Sequence, residues 1–268
     1  MRRLAREAGR LVLAIRDEGF DVEMKGEDDP VTRADREANQ LICGELARTF
    51  ASHGVVGEES VPADPAELEA ILRRSRVFFV DPVDGTREFA DKRPDFCVMI
   101  GLAIDGRATA GVVFVPLEDK LLWTDGEGGA FAEVGAGSPR QLRIEPPAST
   151  SAARAVVSRS HHSADTAAVL EKLGVTAITP CGSVGVKIAR VIEGDADLYV
   201  HVSRGAKLWD ACAPDAVLRA AGGELSDLEG RPIDYRGALG LDNGLIAAHA
   251  SLVAPVKRAV AALPSRMR

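Results

Sequence analysis

The sequence predicts an α+β half joined to an α/β half, and three of its features carry that expectation. Two apolar patterns of helical period open the chain, short β-branched runs separated by turn residues follow them, and strands then alternate with helices to the end. With 268 residues, 46% of them hydrophobic, the chain can fill one large domain or two moderate ones sharing a core.

Leu4, Ala8, Leu11, Val12 and Ile15 fall on one face of a helix running from about Leu4 to Arg16. Its start is basic, but charges interrupt the leucines at helical spacing and no long apolar run follows, so it reads as an amphipathic helix rather than a signal peptide. A second helix spans about Arg33 to Phe50, with Ala34, Ala38, Leu41, Ile42 and Leu46 inward and Asp35 in its first turn. Val77 to Val80, Cys97 to Ala103, Gly111 to Val115 and Leu121 to Thr124 read as strands, and Ile104-Asp105-Gly106-Arg107 as a hairpin turn. The first half is therefore expected to be a helix pair on an antiparallel sheet. From about Gly135 to Pro147 the chain is rich in Gly, Pro and Ser, which marks a candidate boundary between 1–135 and 136–268. Beyond it come strand Ala155 to Ser158, helix Ala164 to Leu173, strand Val175 to Thr179, helix Val184 to Glu193 and strand Asp197 to Val202. A helix from Ala211 to Ala221 that ends at Gly222-Gly223, strand Gly244 to Ala248 and a last helix complete the pattern.

Charged residues make up 27% of the chain and the formal net charge is −7, which gives no basic footprint for a nucleic-acid polymer or an anionic membrane. An anionic substrate must then be met by local positive charge or by metal. Cys43, Cys97, Cys181 and Cys212 are scattered without CxxC spacing and read as free thiols in a reducing compartment. No stretch approaches the roughly 20 apolar residues that span a bilayer. The expected location is the cytoplasm.

Chemistry concentrates in Asp81-Pro82-Val83-Asp84-Gly85-Thr86, directly after the apolar run Val77 to Val80. Two carboxylates three residues apart at a strand end, stiffened by a proline, can converge on hard cations that take oxygen ligands. Gly85 permits close backbone approach, and the Gly85 and Thr86 amides can bind phosphate oxygens. The hexapeptide alone could equally be a surface turn. Three further features bear on that choice: Glu58-Glu59 after the apolar Val55-Val56, Asp210 at the start of an Ala-rich helix, and Thr32 with Asp35 at the start of the second helix. Taken singly, the glutamates read as a solvated pair and the two aspartates as helix caps.

In combination, the order Asp, Glu-Glu, Asp-Pro-x-Asp-Gly-Thr, Trp-Asp resembles the inositol monophosphatase superfamily of Li⁺-sensitive, Mg²⁺-dependent phosphatases. The similarity runs from about Leu4 to Ala248 and takes in Phe96-Cys97-Val98-Met99-Ile100-Gly101 and Ala110-Gly111-Val112-Val113. It implies a layered αβαβα sandwich with the active site in a cleft between the halves. It also implies Mg²⁺, two or three ions per site: Glu58, Asp81 and the Val83 carbonyl for the first, Asp81, Asp84 and Asp210 for the second, and Glu59 near a weaker third. Asp35 and Thr86 resemble the pair that orients and deprotonates the attacking water. Cations of this kind neutralise a phosphate monoester before attack and stabilise its leaving group, and no covalent phosphoenzyme is needed.

The substrate implied is a small phosphate ester. Ser158-Arg159-Ser160-His161, Gly182-Ser183-Val184-Gly185-Val186-Lys187 and Ala196-Asp197-Leu198-Tyr199 resemble the CysQ-type 3′(2′),5′-bisphosphate nucleotidases, as does the stretch from Asp227 to Tyr235. On that resemblance Ser158, Arg159, His161, Gly182, Ser183, Lys187 and Asp210, with Gly85 and Thr86, form the substrate pocket, and the substrate is adenosine 3′,5′-bisphosphate. A helix N-terminus at Ser183, Lys187 one turn on and His161 could meet the phosphate that is not cut. Lys187 as a solvated helix lysine, and His161 or His162 as a cap, are the plainer readings. An inositol monophosphatase or a broad-specificity sugar phosphatase would use the same metal site, in a monomer or a homodimer.

Overall fold

In the computed structural model, which describes residues 1–26, 29–159 and 163–263, the chain begins with helix α1 (Arg2–Glu18). Leu4, Ala5, Ala8, Val12 and Ile15 share its buried face, the stripe that the apolar spacing dictates. A small antiparallel hairpin of β1 (Val22–Gly26) and β2 (Asp29–Thr32), which was not anticipated, leads into α2 (Arg33–Thr49). The residues of β1 are exposed, so no alternating burial marks it as a strand.

A seven-stranded sheet follows, formed by β3 (Gly54–Gly57), β4 (Arg76–Asp84), β5 (Cys97–Ile104), β6 (Arg107–Val115), β7 (Lys120–Thr124), β8 (Ala130–Val134) and β9 (Arg140–Gln141) in sequential order. Helices α3 (Pro65–Leu72) and α4 (Thr86–Ala90) interrupt it. The sheet is not wholly antiparallel, as expected from the strand spacing, because β3 pairs parallel with β4. Helix α3 supplies the crossover that a parallel pair requires. Between β5 and β6 the chain turns at Asp105 (φ 50°) and Gly106 (φ 79°), the tight hairpin read from Ile104 to Arg107. The Gly/Pro/Ser-rich stretch contains strand β9, and Leu142 and Ile144 within it are buried.

The remaining elements are β10 (Arg154–Ser158), α5 (Ala164–Leu173), β11 (Ala177–Cys181), α6 (Val184–Glu193), β12 (Leu198–His201), α7 (Leu208–Ala220), β13 (Gly223–Ser226), β14 (Leu245–His249) and α8 (Ala250–Ala261). They form a five-stranded sheet in the order β11-β10-β12-β14-β13. Its β10, β11 and β12 run parallel, and β14 pairs antiparallel with both β12 and β13. Two boundaries shift from expectation. Strand β11 lies two residues later than Val175 to Thr179, and α7 starts at Leu208 rather than Ala211.

Three hydrophobic cores separate these elements into five layers. Helices α1 and α2 cover one face of the seven-stranded sheet through Val12, Ile42, Phe78, Val80 and Ile100. Helices α6 and α7 lie between the sheets, where Phe79 and Val113 face Ile188, Val217, Val156 and Ala247. Helices α5 and α8 close the far face of the smaller sheet through Leu170, Val256, Val157 and Ile246. Alternate residues of one strand thus serve different cores, as Phe78 and Phe79 do. This is the layered αβαβα sandwich. No helix among the described residues is long and apolar enough to cross a membrane.

Candidate active site

Strand β4 carries its apolar run directly into Asp81-Pro82-Val83-Asp84, so these carboxylates are built on the sheet itself; Asp81 is 1% exposed and Asp84 7%. Pro82 lies where the β4–β5 register slips between Asp81 and Asp84, which is where a residue without an N–H can be accommodated. Gly85 adopts φ 92°, and a Cβ there would lie 2.8 Å from the Asp95 carbonyl oxygen, so both the turn and the close approach require glycine.

Asp81, Asp84 and Asp210 each offer a carboxylate oxygen within 4.8 Å of the others. Asp210 arrives from the first turn of α7, where Lys207 is the N-cap and its N–H donates to Asp210 Oδ2 at 2.6 Å. Burial pushes the Asp81 carboxyl well up, with the charges of Glu58, Asp84 and Asp210 adding to it. Burial, then Asp84, pushes Asp210 up to about 8. Glu58, beside β3, is pushed up to about 7 by burial, against the pull of Lys25. Clustered buried carboxylates of this kind suit a hard divalent cation, which takes several oxygen ligands and removes their mutual repulsion. Asp81, Asp84, Asp210 and Glu58 are the residues that could hold it.

Asp35 lies beside this cluster, 1% exposed. Its Oδ2 accepts from the Thr32 N–H at 2.8 Å and the Thr32 hydroxyl at 2.6 Å, while Oδ1 accepts from Thr86 Oγ1 at 2.8 Å. The Thr86 hydroxyl is also 3.0 Å from the Val83 carbonyl. Burial raises the Asp35 carboxyl above its ordinary value, outweighing those donors. Asp35 therefore caps α2 through one oxygen and presents the other to Thr86.

A cavity of about 980 Å³ opens over these groups. Glu58, Asp84, Gly85, Thr86, Ser158, Ser183, Lys187 and Asp210 line it. Arg159 and Gly182 are not among its lining. Arg159 forms an ion pair with Asp95, whose Oδ2 also accepts from the Gly182 N–H at 3.3 Å. Ser183, the N-cap of α6, donates to Asp84 Oδ2, and the Val184 and Gly185 amides donate to the same carboxylate at 3.1 and 2.5 Å. Lys187 is 3% exposed, with its Nζ 5.3 Å from the Tyr199 ring, and burial lowers its pKa. His161 and His162 lie outside the described residues.

Sequence reasoning missed several side chains of this cavity. Lys25, on the β1–β2 hairpin, donates to Glu58 Oε1 at 2.9 Å and Glu59 Oε1 at 2.7 Å. Arg87, His201, Arg204 and Lys207 also line it. Nothing in the local pattern of Met24-Lys25-Gly26 announces a hairpin over the carboxylates. Arg204 and Lys207 could have been found from their distance of only six and three residues before Asp210.

The sequence matches the inositol monophosphatase family over residues 1–262. It is 34% identical over 237 residues to the 3′(2′),5′-bisphosphate nucleotidase CysQ of Escherichia coli K12, a match covering 87% of this chain and 91% of that protein. With 3′(2′),5′-bisphosphate nucleotidase 1 of Homo sapiens it shares 32% identity over 257 residues, 87% of this chain and 83% of that one. Among solved structures, CysQ of Bacteroides thetaiotaomicron superposes with a TM-score of 0.75 at 26% identity, covering 92% of this chain and 94% of that one. An IMPase of Thermotoga maritima superposes with a TM-score of 0.79 at 24% identity, covering 99% and 97%. The chain belongs to the inositol monophosphatase family, and with its acidic cluster it is a metal-dependent phosphomonoesterase of that family.

Proposed function

We propose that this member of the inositol monophosphatase family hydrolyses the 3′-phosphate of adenosine 3′,5′-bisphosphate to give AMP, with Mg²⁺ as its cation. The observation that carries the reading is the mixed lining of one cavity: an acidic cluster at its floor and Lys25, Arg87, Lys187, Arg204 and Lys207 around it. A single phosphoryl group held by cations needs little of that positive charge. A substrate with a second phosphate can use it. At about 980 Å³ the cavity also stands at the upper end of the roughly 300–1,000 Å³ of small-molecule sites, which leaves room for a nucleoside. Two relatives matched over 83% and 91% of their length are named 3′(2′),5′-bisphosphate nucleotidases, which supports the reading.

Glu58, Asp81, the Val83 carbonyl, Asp84 and Asp210 hold the cations in this reading, and Glu59 lies close enough to assist. When bound, they neutralise the phosphoryl oxygens and make water acidic enough to ionise near neutral pH. Thr86 Oγ1 orients the attacking water. Asp35, hydrogen-bonded to that hydroxyl, accepts the proton, and its burial makes it a stronger base than an exposed aspartate. The Gly85 and Thr86 amides would orient the phosphoryl oxygens.

Comparison of kcat/KM for adenosine 3′,5′-bisphosphate, inositol 1-phosphate and fructose 1,6-bisphosphate at saturating Mg²⁺ tests the proposal. Each charge-assisted contact to the phosphate that is not cut contributes about 1.5–3 kcal/mol, so two contacts separate bisphosphate from monophosphate by about a hundredfold or more. Preference for inositol 1-phosphate would overturn the nucleotide reading.

A further inference from the structure

We infer that the uncut phosphate of the substrate is held by Arg204 and Lys207, on the loop between β12 and α7, and not by the N-terminus of α6. The inference rests on the nucleotidase reading above and assigns the residues that would give it its specificity. The donors at and near the N-terminus of α6, and Lys25, are already committed to protein carboxylates. Ser183 Oγ and the Val184 and Gly185 amides all point to Asp84. The Arg159 guanidinium and the Gly182 amide are engaged by Asp95, and Lys25 bridges Glu58 and Glu59. Lys187 is buried, and the charge that acts on it most strongly is Asp84. A phosphate recruited there would compete with Asp84 for the same donors and sit against a carboxylate that the cations need.

Arg204 and Lys207 are placed differently. Both line the cavity, and neither charged group has an ion-pair partner among the described residues. Their loop is nonetheless fixed. The Leu241 N–H donates to the Ala206 carbonyl at 2.8 Å, and the Leu208 N–H donates to the Leu239 carbonyl at 2.9 Å. Lys207 forms an isolated bridge with Gly240 between those bonds. The loop is tied to the reacting end as well, through the Lys207 N–H on Asp210. Two cations on a segment anchored beside the acidic cluster, in the same cavity, suit a second dianion carried by the substrate whose other phosphate is cut. A guanidinium fork and an ammonium are complementary to it.

The test compares adenosine 3′,5′-bisphosphate with adenosine 3′-monophosphate, which lacks only the 5′-phosphate. Wild type, Arg204→Ala, Lys207→Gln, Lys207→Arg and the Arg204→Ala/Lys207→Gln double variant are assayed at saturating Mg²⁺. The expected wild-type ratio of kcat/KM, bisphosphate over monophosphate, is about a hundred or more. It should fall about tenfold in each single charge-removing variant and about a hundredfold in the double variant, mainly through KM, and recover in Lys207→Arg. Binding of AMP, which keeps the 5′-phosphate, should weaken about tenfold in Arg204→Ala by calorimetry. Arg204 is exposed, so that variant keeps its fold even if Lys207→Gln disturbs Asp210. A high wild-type ratio that survives in Arg204→Ala and in the double variant would overturn the assignment to this loop and leave the nucleotidase reading standing. A wild-type ratio near one would overturn both.

Discussion

Asp35 and Asp210 occupy the same place in two different helices. Each is the third residue of its first turn, and each accepts a hydrogen bond from the N–H of its N-cap residue, Thr32 at 2.8 Å and Lys207 at 2.6 Å. A carboxylate has two oxygens, so one can satisfy an orphan helix amide and leave the other free for a second partner. That is why the sequence at both positions could be read for capping or for chemistry: the cap uses only one oxygen. The arrangement makes Asp35→Asn informative. The amide oxygen can still accept from Thr32, but the proton acceptor facing Thr86 is gone. Turnover should fall by about 10²–10⁴, with Tm close to wild type. Asp35→Ala should lose as much activity and, in addition, about 1 kcal/mol of stability with the cap. Steady-state kinetics beside thermal unfolding separates the two effects, and an Asp35→Asn enzyme with near-normal kcat would remove Asp35 from the proton transfer. Asp84 gives no such clean variant. Both its oxygens accept donors from α6 and Ser183, so an amide there would turn an NH₂ group toward an N–H.

At the scale of elements, α7 does the most joining. It packs between the sheets, delivers Asp210 at its start, and five residues later buries Asp215, 1% exposed. Asp215 accepts from Arg219 Nε at 2.7 Å and from the Tyr235 hydroxyl at 2.9 Å, while the Tyr235 ring packs on Phe79. Burial pushes Asp215 up to about 6 in spite of those partners. A carboxyl raised above its unfolded value of about 3.9 stabilises the fold below that value, and the contribution is lost as pH rises through about 6. Once Asp215 is ionised, the Tyr235 hydroxyl supports a buried charge. Tyr235→Phe should therefore cost about 1.5–3 kcal/mol near pH 7.5 and less near pH 5, where the acceptor is neutral. Denaturant unfolding at the two pH values measures this, and a cost that does not rise with pH would contradict it. Elements of this kind differ in how far the sequence discloses them. The stripes of α1 and α2 show because one face is buried and the other wet. Hairpin β1–β2 does not show, because the residues of β1 are exposed. The parallel pairing of β3 with β4 is a tertiary choice made by α3, and no local run of apolar residues encodes it.

The whole molecule brings the same logic to its largest scale. Five layers could be expected only through family resemblance, since strand order depends on contacts between distant segments; the carboxylates could be read directly because Asp84 ends β4 with Asp81 three residues before it, and Asp35 and Asp210 lie in the first turns of helices. What the layers achieve is to bring Glu58 from beside β3, Asp81 and Asp84 from β4, and Asp210 from α7 to one point, at a cost in repulsion within a chain whose formal net charge is already −7. Asp210 is pushed up to about 8, so without cations its stabilising contribution is complete below about pH 4 and drains away as pH rises toward about 8. On the proposed reading, Mg²⁺ should reverse that loss. At a free concentration about a hundred times its Kd, a ligand of the native state adds about 2.7 kcal/mol. Metal-free enzyme should therefore lose Tm between about pH 6 and about pH 8.5, and Mg²⁺ should restore most at the higher pH. Asp210→Asn keeps the acceptor for the Lys207 N–H and removes the charge. It should have a flatter pH profile when metal-free, gain less from Mg²⁺, and lose most activity. Thermal unfolding of both proteins in chelator and in Mg²⁺ provides the comparison. A wild-type Tm near pH 8.5 that is indifferent to Mg²⁺ would mean that the four carboxylates do not form a cation site.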